Sequence, residues 1–176
     1  LARLGARHVT LPAELSGDNL RAMAASARDL GVTLETLVYG RMPLALSARC
    51  YHARAHGRTK DSCQYVCQND PDGMPLTTLE DEPVLAVNGI QTLSHACLNL
   101  MNELPALQAM GIDAVRLSPH THDMVATAKL FRDVLDGAVD PADAMPSLPR
   151  IAPTVPFCNG FYYDAPGHQW RQPTAG

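Results

Sequence analysis

Short apolar runs alternate with stretches of helical periodicity along most of this chain, and that alternation restricts its fold more than any other feature. The first run is "HVTL", His8 to Leu11, and a helix follows from Ser16, a good N-cap, through "GDNLRAMAASARDL" to a closing Gly31. "VTLETLVYG" reads as a second strand, "PVLAVNG" as an apolar run too short for a helix, and "ALQAMGID" as the end of another helix. "AVRLSP" is a further strand. "HDMVATAKLFRDVLDG" predicts a helix with Met124, Ala128, Leu130, Phe131, Val134 and Leu135 at helical spacing.

Strand and helix in alternation imply a parallel sheet with helices packed outside it. Four such units make half of an eight-stranded β/α barrel, which takes roughly 250 residues when whole; an open four-unit sheet is the other arrangement the pattern permits. The expectation is an α/β fold: residues 1–137 form the C-terminal half of a TIM-like (β/α) barrel, interrupted by a polar, cysteine-bearing segment at 41–68. Beyond Gly137 the text is crowded with proline, which disfavours a long helix or a central strand. Residues 138–176 are therefore expected as an extended tail packed on the domain through Phe157, Phe161, Tyr162 and Tyr163.

With 46% hydrophobic residues and a net charge of −4, the chain has the composition of a folded globular protein. The acidic balance gives no basis for binding nucleic acid or an anionic membrane, since phosphate recognition needs a basic field. No stretch of eighteen apolar residues predicts a transmembrane segment, and the first residues do not read as a secretory signal. A cytoplasmic location is expected, where thiols stay reduced and clustered cysteines bind metal or do redox chemistry.

Three of the five cysteines fall in "RCYHARAHGRTKDSCQYVC" as Cys50, Cys63 and Cys67, spaced C-x12-C-x3-C. On a helix, Cys63 and Cys67 at i and i+4 share a face, and a loop after the second strand delivers Cys50 toward them. Soft thiolate donors suit zinc or an iron–sulfur cluster. His52 and His56 are near enough in sequence to complete a Cys3His zinc site. Arg41, Arg49, Arg54, Arg58 and Lys60 occupy the same window, and cations beside thiolates lower their pKa and offset the charge of a cluster. Three unrelated thiols are the plain alternative.

The text "LVYGRMPLALSARCYHARAHGRTKDSCQYVC", followed by "VLAVNGIQTLS" and "VRLSP", resembles the collagenase-like peptidase family, and within it the branch that serves oxygen-independent ubiquinone biosynthesis. The likeness runs from about Glu14 to "CNGFYY". It implies a β/α barrel, a 4Fe-4S cluster on four cysteines, and a heterodimer with a UbiU-like partner that hydroxylates the ring of a prenylated aromatic quinone precursor without oxygen. Position by position, Cys50, Cys63 and Cys67 match three cluster ligands. The fourth, in the family, comes from near the N-terminus, so it is expected upstream of Leu1, with this chain as the C-terminal portion of a longer protein. Cys97 and Cys158 read as small buried thiols. The alternatives to part of a hydroxylase complex are a peptidase, for which no G-x-S-x-G or H-E-x-x-H motif is present, and a non-catalytic structural metal protein.

Four further residues are candidates for substrate contact. Asn88 and Gln91 lie at the C-terminal end of a predicted strand, the face where barrel active sites are built, or else they cap the helix that follows. His120, with His122 beside it, ends the next strand and is placed either for proton transfer or as a solvated loop histidine. Arg116 inside "AVRLS" needs a carboxylate, which either a structural ion pair or an anionic substrate supplies.

Overall fold

A computed structural model of the chain describes residues 1–152 and 156–172. The strands are β1 (His8–Thr10), β2 (Thr33–Leu46), β3 (Met74–Thr77), β4 (Pro83–Asn88), β5 (Gln91–Asn99), β6 (Ala114–Leu117) and β7 (Phe157–Cys158), and the helices are α1 (Gly17–Asp29), α2 (Tyr51–Ala55), α3 (Leu104–Met110), α4 (Met124–Leu135), α5 (Pro141–Ala144) and α6 (Leu148–Ile151). The result is a mixed α/β fold around a seven-stranded sheet whose strands follow an open path, β1-β2-β5-β4-β3, with β6 on β2 and β7 on β5. Two compact units share it, one built from residues 1–40 and 98–176, the other from residues 41–97.

In the first unit the expected strand–helix alternation is present. β1 and β6 both run parallel to β2, with Val9 beside Leu34 and Thr36 beside Val115. Ser16 begins α1 by accepting from the Asn19 amide at 3.4 Å, and Leu20, Ala24 and Ala27 bury one face of that helix at helical spacing. Asp123 does the same for α4, its Oδ1 taking the Ala126 amide at 2.9 Å, and Thr127, Phe131 and Val134 are the buried side. Leu20, Leu37, Leu98, Leu104, Leu107 and Leu148 are all at most 2% exposed. Each stabilises the unit by about 1.5–3 kcal/mol relative to an exposed position.

Gly40 lets β2 pass close to the end of β6. Its φ is 109°, and a Cβ there would stand 2.6 Å from the Ser118 Cβ and 2.8 Å from the Ser118 carbonyl oxygen. The Ser118 amide in turn donates to the Tyr39 carbonyl at 2.8 Å.

The second unit departs from the parallel pattern. β3, β4 and β5 form an antiparallel meander, with Leu76 opposite Leu85 and Leu85 opposite Ser94. A parallel crossover needs a dozen or more residues, whereas only Gly89 and Ile90 join β4 to β5. "PVLAVNG" is therefore the first arm of a hairpin. The unit spans the cysteine segment together with this meander, and its buried residues include Met42, Cys50, His52, Ala53, Val66, Ala86 and Val87.

The proline-rich stretch after Gly137 is not extended throughout. It coils into α5, a single turn at Met145–Ser147 and α6, with a proline in the first two positions of each. Proline is tolerated there because its missing N–H has no helical partner in any case. Asp140 Oδ1 caps α5 through the Ala142 amide at 2.9 Å. Residues 153–155 and 173–176 of the expected tail lie outside the described residues. From 156 to 172 the chain is pinned by aromatic and polar contacts. The Phe157 ring lies 6.3 Å from those of Tyr39 and Trp170, and the Tyr163 hydroxyl donates to Glu103 Oε1 at 2.7 Å. Buried Asn159 donates to the Arg171 carbonyl at 3.0 Å and to Glu103 Oε1 at 3.3 Å, and accepts from the Arg171 amide at 2.7 Å. Among the described residues no helix is long and apolar enough to cross a membrane.

Candidate metal centre and its surroundings

Within the unit of residues 41–97, Cys50 is the N-cap of α2, where its sulfur accepts from the Ala53 amide at 3.4 Å and its thiol donates to the Gly89 carbonyl at 3.2 Å. It is buried, while Cys63 and Cys67 are half-exposed. These two do not share a helix as the i, i+4 spacing predicts. Cys63 ends a turn at Lys60–Ser62 and Cys67 lies in another at Val66–Asn69, and between them Gln64 and Tyr65 take φ values of 50° and 52°. Two consecutive left-handed residues reverse the chain, which no continuous helix permits. The Tyr65 amide donates back to Cys63 Sγ at 3.4 Å.

A cleft of about 420 Å³ opens beside Cys50, lined by Ala48, Arg49, Arg54, Arg58, Thr59 and Lys60. No carboxylate is among these residues, so the potential facing the Cys50 region is positive. Arg58 also donates to the Cys63 carbonyl at 3.3 Å and to Gln64 Oε1. Arg41, the fifth cation of the window, does not join the cleft. Its Nη1 donates to the carbonyls of Ser94, at 2.7 Å, and His95 on β5.

His52 and His56 turn toward Asp70 rather than toward the thiols. His52 Nε2 lies 2.9 Å and His56 Nε2 3.5 Å from Asp70 Oδ2. Among the described residues this is the one group of histidine, cysteine and acidic side chains whose ligand atoms all lie within 4.8 Å of one another. Ligands on a single zinc ion stand closer than that, so in this arrangement the two histidines do not complete a Cys3His zinc site. Asp70 was not legible as a partner, because it meets His52 across eighteen residues of sequence.

The other candidates have these positions. Asn88 and Gln91 face each other at the mouth of the β4–β5 hairpin, and Asn88 Nδ2 donates to the Pro71 carbonyl at 2.9 Å. No helix follows Asn88 for it to cap. In the first unit Arg116 pairs with Glu35 at 3.8 Å, and the same carboxylate accepts from Thr10 Oγ1 at 3.0 Å; the structural ion pair is the arrangement found. His120 and His122 are half-buried and stacked, with centroids 5.2 Å apart. Both pack edge-on to fully buried Tyr39, whose hydroxyl lies 3.1 Å from His122 Nε2, and Phe131 closes the other side of that ring at 5.4 Å. Tyr39 stood in the sequence only as part of a strand. The continuous apolar run Leu37–Tyr39, as in a strand covered on both faces, was the available signal.

The profile of peptidase family U32 matches residues 1–172. The chain belongs to peptidase family U32. This is the collagenase-like family that the cysteine segment resembles, and the match takes in both units and every candidate residue named above. No solved structure matches this U32 chain.

Proposed function

We propose that this U32 protein is a UbiV-like iron–sulfur subunit that works with a UbiU-like partner in the oxygen-independent hydroxylation of a prenylated aromatic precursor of ubiquinone. The observation that carries the reading is the C-x12-C-x3-C set, whose Cys50 borders a cleft lined by four cations. That donor set fits a 4Fe-4S cluster: Cys50, Cys63 and Cys67 would hold three of its corners, and the bound cluster supplies one-electron transfer. Arg49, Arg54, Arg58 and Lys60 offset the negative charge that the thiolates and cluster bring, and so favour the reduced form. Cys158 is a poor fourth ligand, because burial pushes its thiol up to about 12.

The half-barrel reading belongs with this proposal and draws on β1, β2 and β6, the three parallel strands, with α1 between β1 and β2, α3 before β6 and α4 after it. In that setting His120, half-buried against Tyr39 and His122, is the residue best suited to contact an aromatic ring. Asn88, Gln91 and Arg116 are the further candidates; the Asn88 side chain is held by the Pro71 carbonyl and that of Arg116 by Glu35.

Anaerobic purification followed by iron and acid-labile sulfide analysis tests the proposal. Near-equal iron and sulfide, lost in Cys63→Ser and Cys67→Ser and kept in Cys97→Ala, is the expected result, together with quinone loss in a deletion strain grown without oxygen. Stoichiometric zinc without sulfide, or normal anaerobic quinone in the deletion strain, refutes it.

A further inference from the structure

We infer that His52, His56 and Asp70 form a second metal site in the unit of residues 41–97, one that takes a single divalent transition ion of the zinc class. The site does not depend on whether the three thiols hold a cluster. Its first support is local. His52 lies on α2 and His56 is its C-cap, so the H-x3-H spacing puts both rings on one face, stacked with centroids 5.4 Å apart and planes 12° apart.

The second support is convergence. Both Nε2 atoms aim at one carboxylate oxygen, at 2.9 and 3.5 Å. Tetrahedral zinc with bonds of about 2.0–2.2 Å holds its nitrogen and oxygen ligands roughly 3.3 Å apart, so the observed separations straddle the required one. Asp70 is fixed for the purpose: its amide donates to the Cys67 carbonyl at 3.1 Å and its carbonyl accepts from the Gly73 amide at 2.8 Å.

The third support is the shell around His52. The His52 side chain is wholly buried, and its two ring nitrogens face only acceptors, the Val87 carbonyl at 3.1 Å from Nδ1 and the Asp70 carboxylate at 2.9 Å from Nε2. With an ion between Nε2 and Oδ2, the Nδ1 side of the ring donates to the Val87 carbonyl. A backbone carbonyl behind the ring is the usual outer partner of a metal-bound histidine.

Two imidazoles and one carboxylate are borderline donors, suited to zinc, cobalt or ferrous ion rather than to magnesium or calcium. The side chains of His56 and Asp70 are 35% and 31% exposed, so one side of the site is open to solvent and a water completes the coordination. The ion ties α2, which starts at Cys50, to the turn that carries Cys67.

The test titrates the full chain, purified anaerobically with iron and sulfide measured in parallel, first with Co2+ and then with Zn2+. One Co2+ per chain is expected, with d–d bands of nitrogen and oxygen ligation and no thiolate charge-transfer band, displaced by one equivalent of Zn2+. His56→Gln and Asp70→Asn should each weaken Zn2+ binding by more than about 100-fold, beyond the cost of losing an outer-shell partner. If these variants do not fold, X-ray absorption on the wild-type zinc form decides: a nitrogen/oxygen shell near 2.0–2.1 Å supports the site, and a sulfur shell near 2.3 Å overturns it. Unchanged Zn2+ affinity in folded variants also overturns it, and marks the group as a buried His–Asp ion pair. Loss of zinc binding with iron and sulfide retained separates this site from the thiol cluster.

Discussion

Gly40→Ala probes the closest approach in the first unit. The substitution places a methyl group at a φ of 109°, with the Ser118 Cβ at 2.6 Å and the Ser118 carbonyl oxygen at 2.8 Å. Holding a non-glycine residue in a disfavoured backbone region costs about 1–3 kcal/mol. Forcing extra volume into a packed contact costs about 1–3 kcal/mol more. The lower entropy of the unfolded alanine chain offsets about 0.4–1 kcal/mol of this cost. The sum is about 2–5 kcal/mol, and in a chain of 176 residues that lowers Tm by roughly 4–20 °C. Gly31→Ala is the control, because its φ is 62° with no atom within 4 Å of the new Cβ, so only backbone strain of about 1–2 kcal/mol applies. Ser118→Gly in the Gly40→Ala background removes the 2.6 Å contact and leaves the one at 2.8 Å, so it should restore part of the loss. Thermal unfolding followed by circular dichroism measures all three. If Gly40→Ala is no more destabilising than Gly31→Ala, the close-approach argument is wrong.

Two further expectations follow from buried groups in the same unit. Burial raises the Glu103 carboxyl above its ordinary value of 4.5, against the opposing hydrogen bonds from Tyr163 and Asn159. The folded state then holds the proton more tightly than the unfolded state, so its contribution to stability is complete below 4.5 and is lost as pH rises through the raised value. Glu103→Gln should gain on wild type across that interval in urea titrations, and parallel pH profiles for the two proteins would defeat this account. For Cys158, whose thiol is pushed up to about 12, only about 1 in 10⁴ is thiolate at pH 8. Iodoacetamide should therefore label half-exposed Cys63 and Cys67 in cluster-free protein long before Cys158, and mass spectrometry showing equal rates contradicts the burial argument.

Several elements were legible in the sequence because their causes are local. α1 follows from Ser16 and the spacing of Leu20, Ala24 and Ala27, and α4 follows from Asp123 with Phe131 and Val134. The pairing of β4 was not legible, since an apolar run states that a strand is buried but not which neighbour it takes. The pattern assigned no element to Gln91–Asn99, where polar side chains at Gln91, Thr92, Ser94 and His95 blur any alternation. The closeness of Cys50, Cys63 and Cys67 along the chain is plain in the sequence. The backbone that carries them is not, because Gln64 and Tyr65 adopt left-handed conformations that neither residue type announces. Asp70 and Arg41 show the same limit for side chains: a carboxylate eighteen residues from His52 and a cation that leaves its cluster for β5 carbonyls are products of tertiary contact.

The unit of residues 41–97 is continuous in sequence, whereas the other is assembled from two separated stretches, 1–40 and 98–176. During translation the residues of the two are therefore completed in a fixed order. Once Cys97 has left the ribosome every residue of the thiol-bearing unit is available, while the first stretch of its companion still waits for β6, α4 and the Asn159 anchor. At about 5–20 residues per second that wait lasts several seconds, far longer than a hairpin needs to close. A metal carrier acting during synthesis would thus find every residue of the Cys50, Cys63 and Cys67 set and of the His52–His56–Asp70 group already made before residues 98–176 emerge.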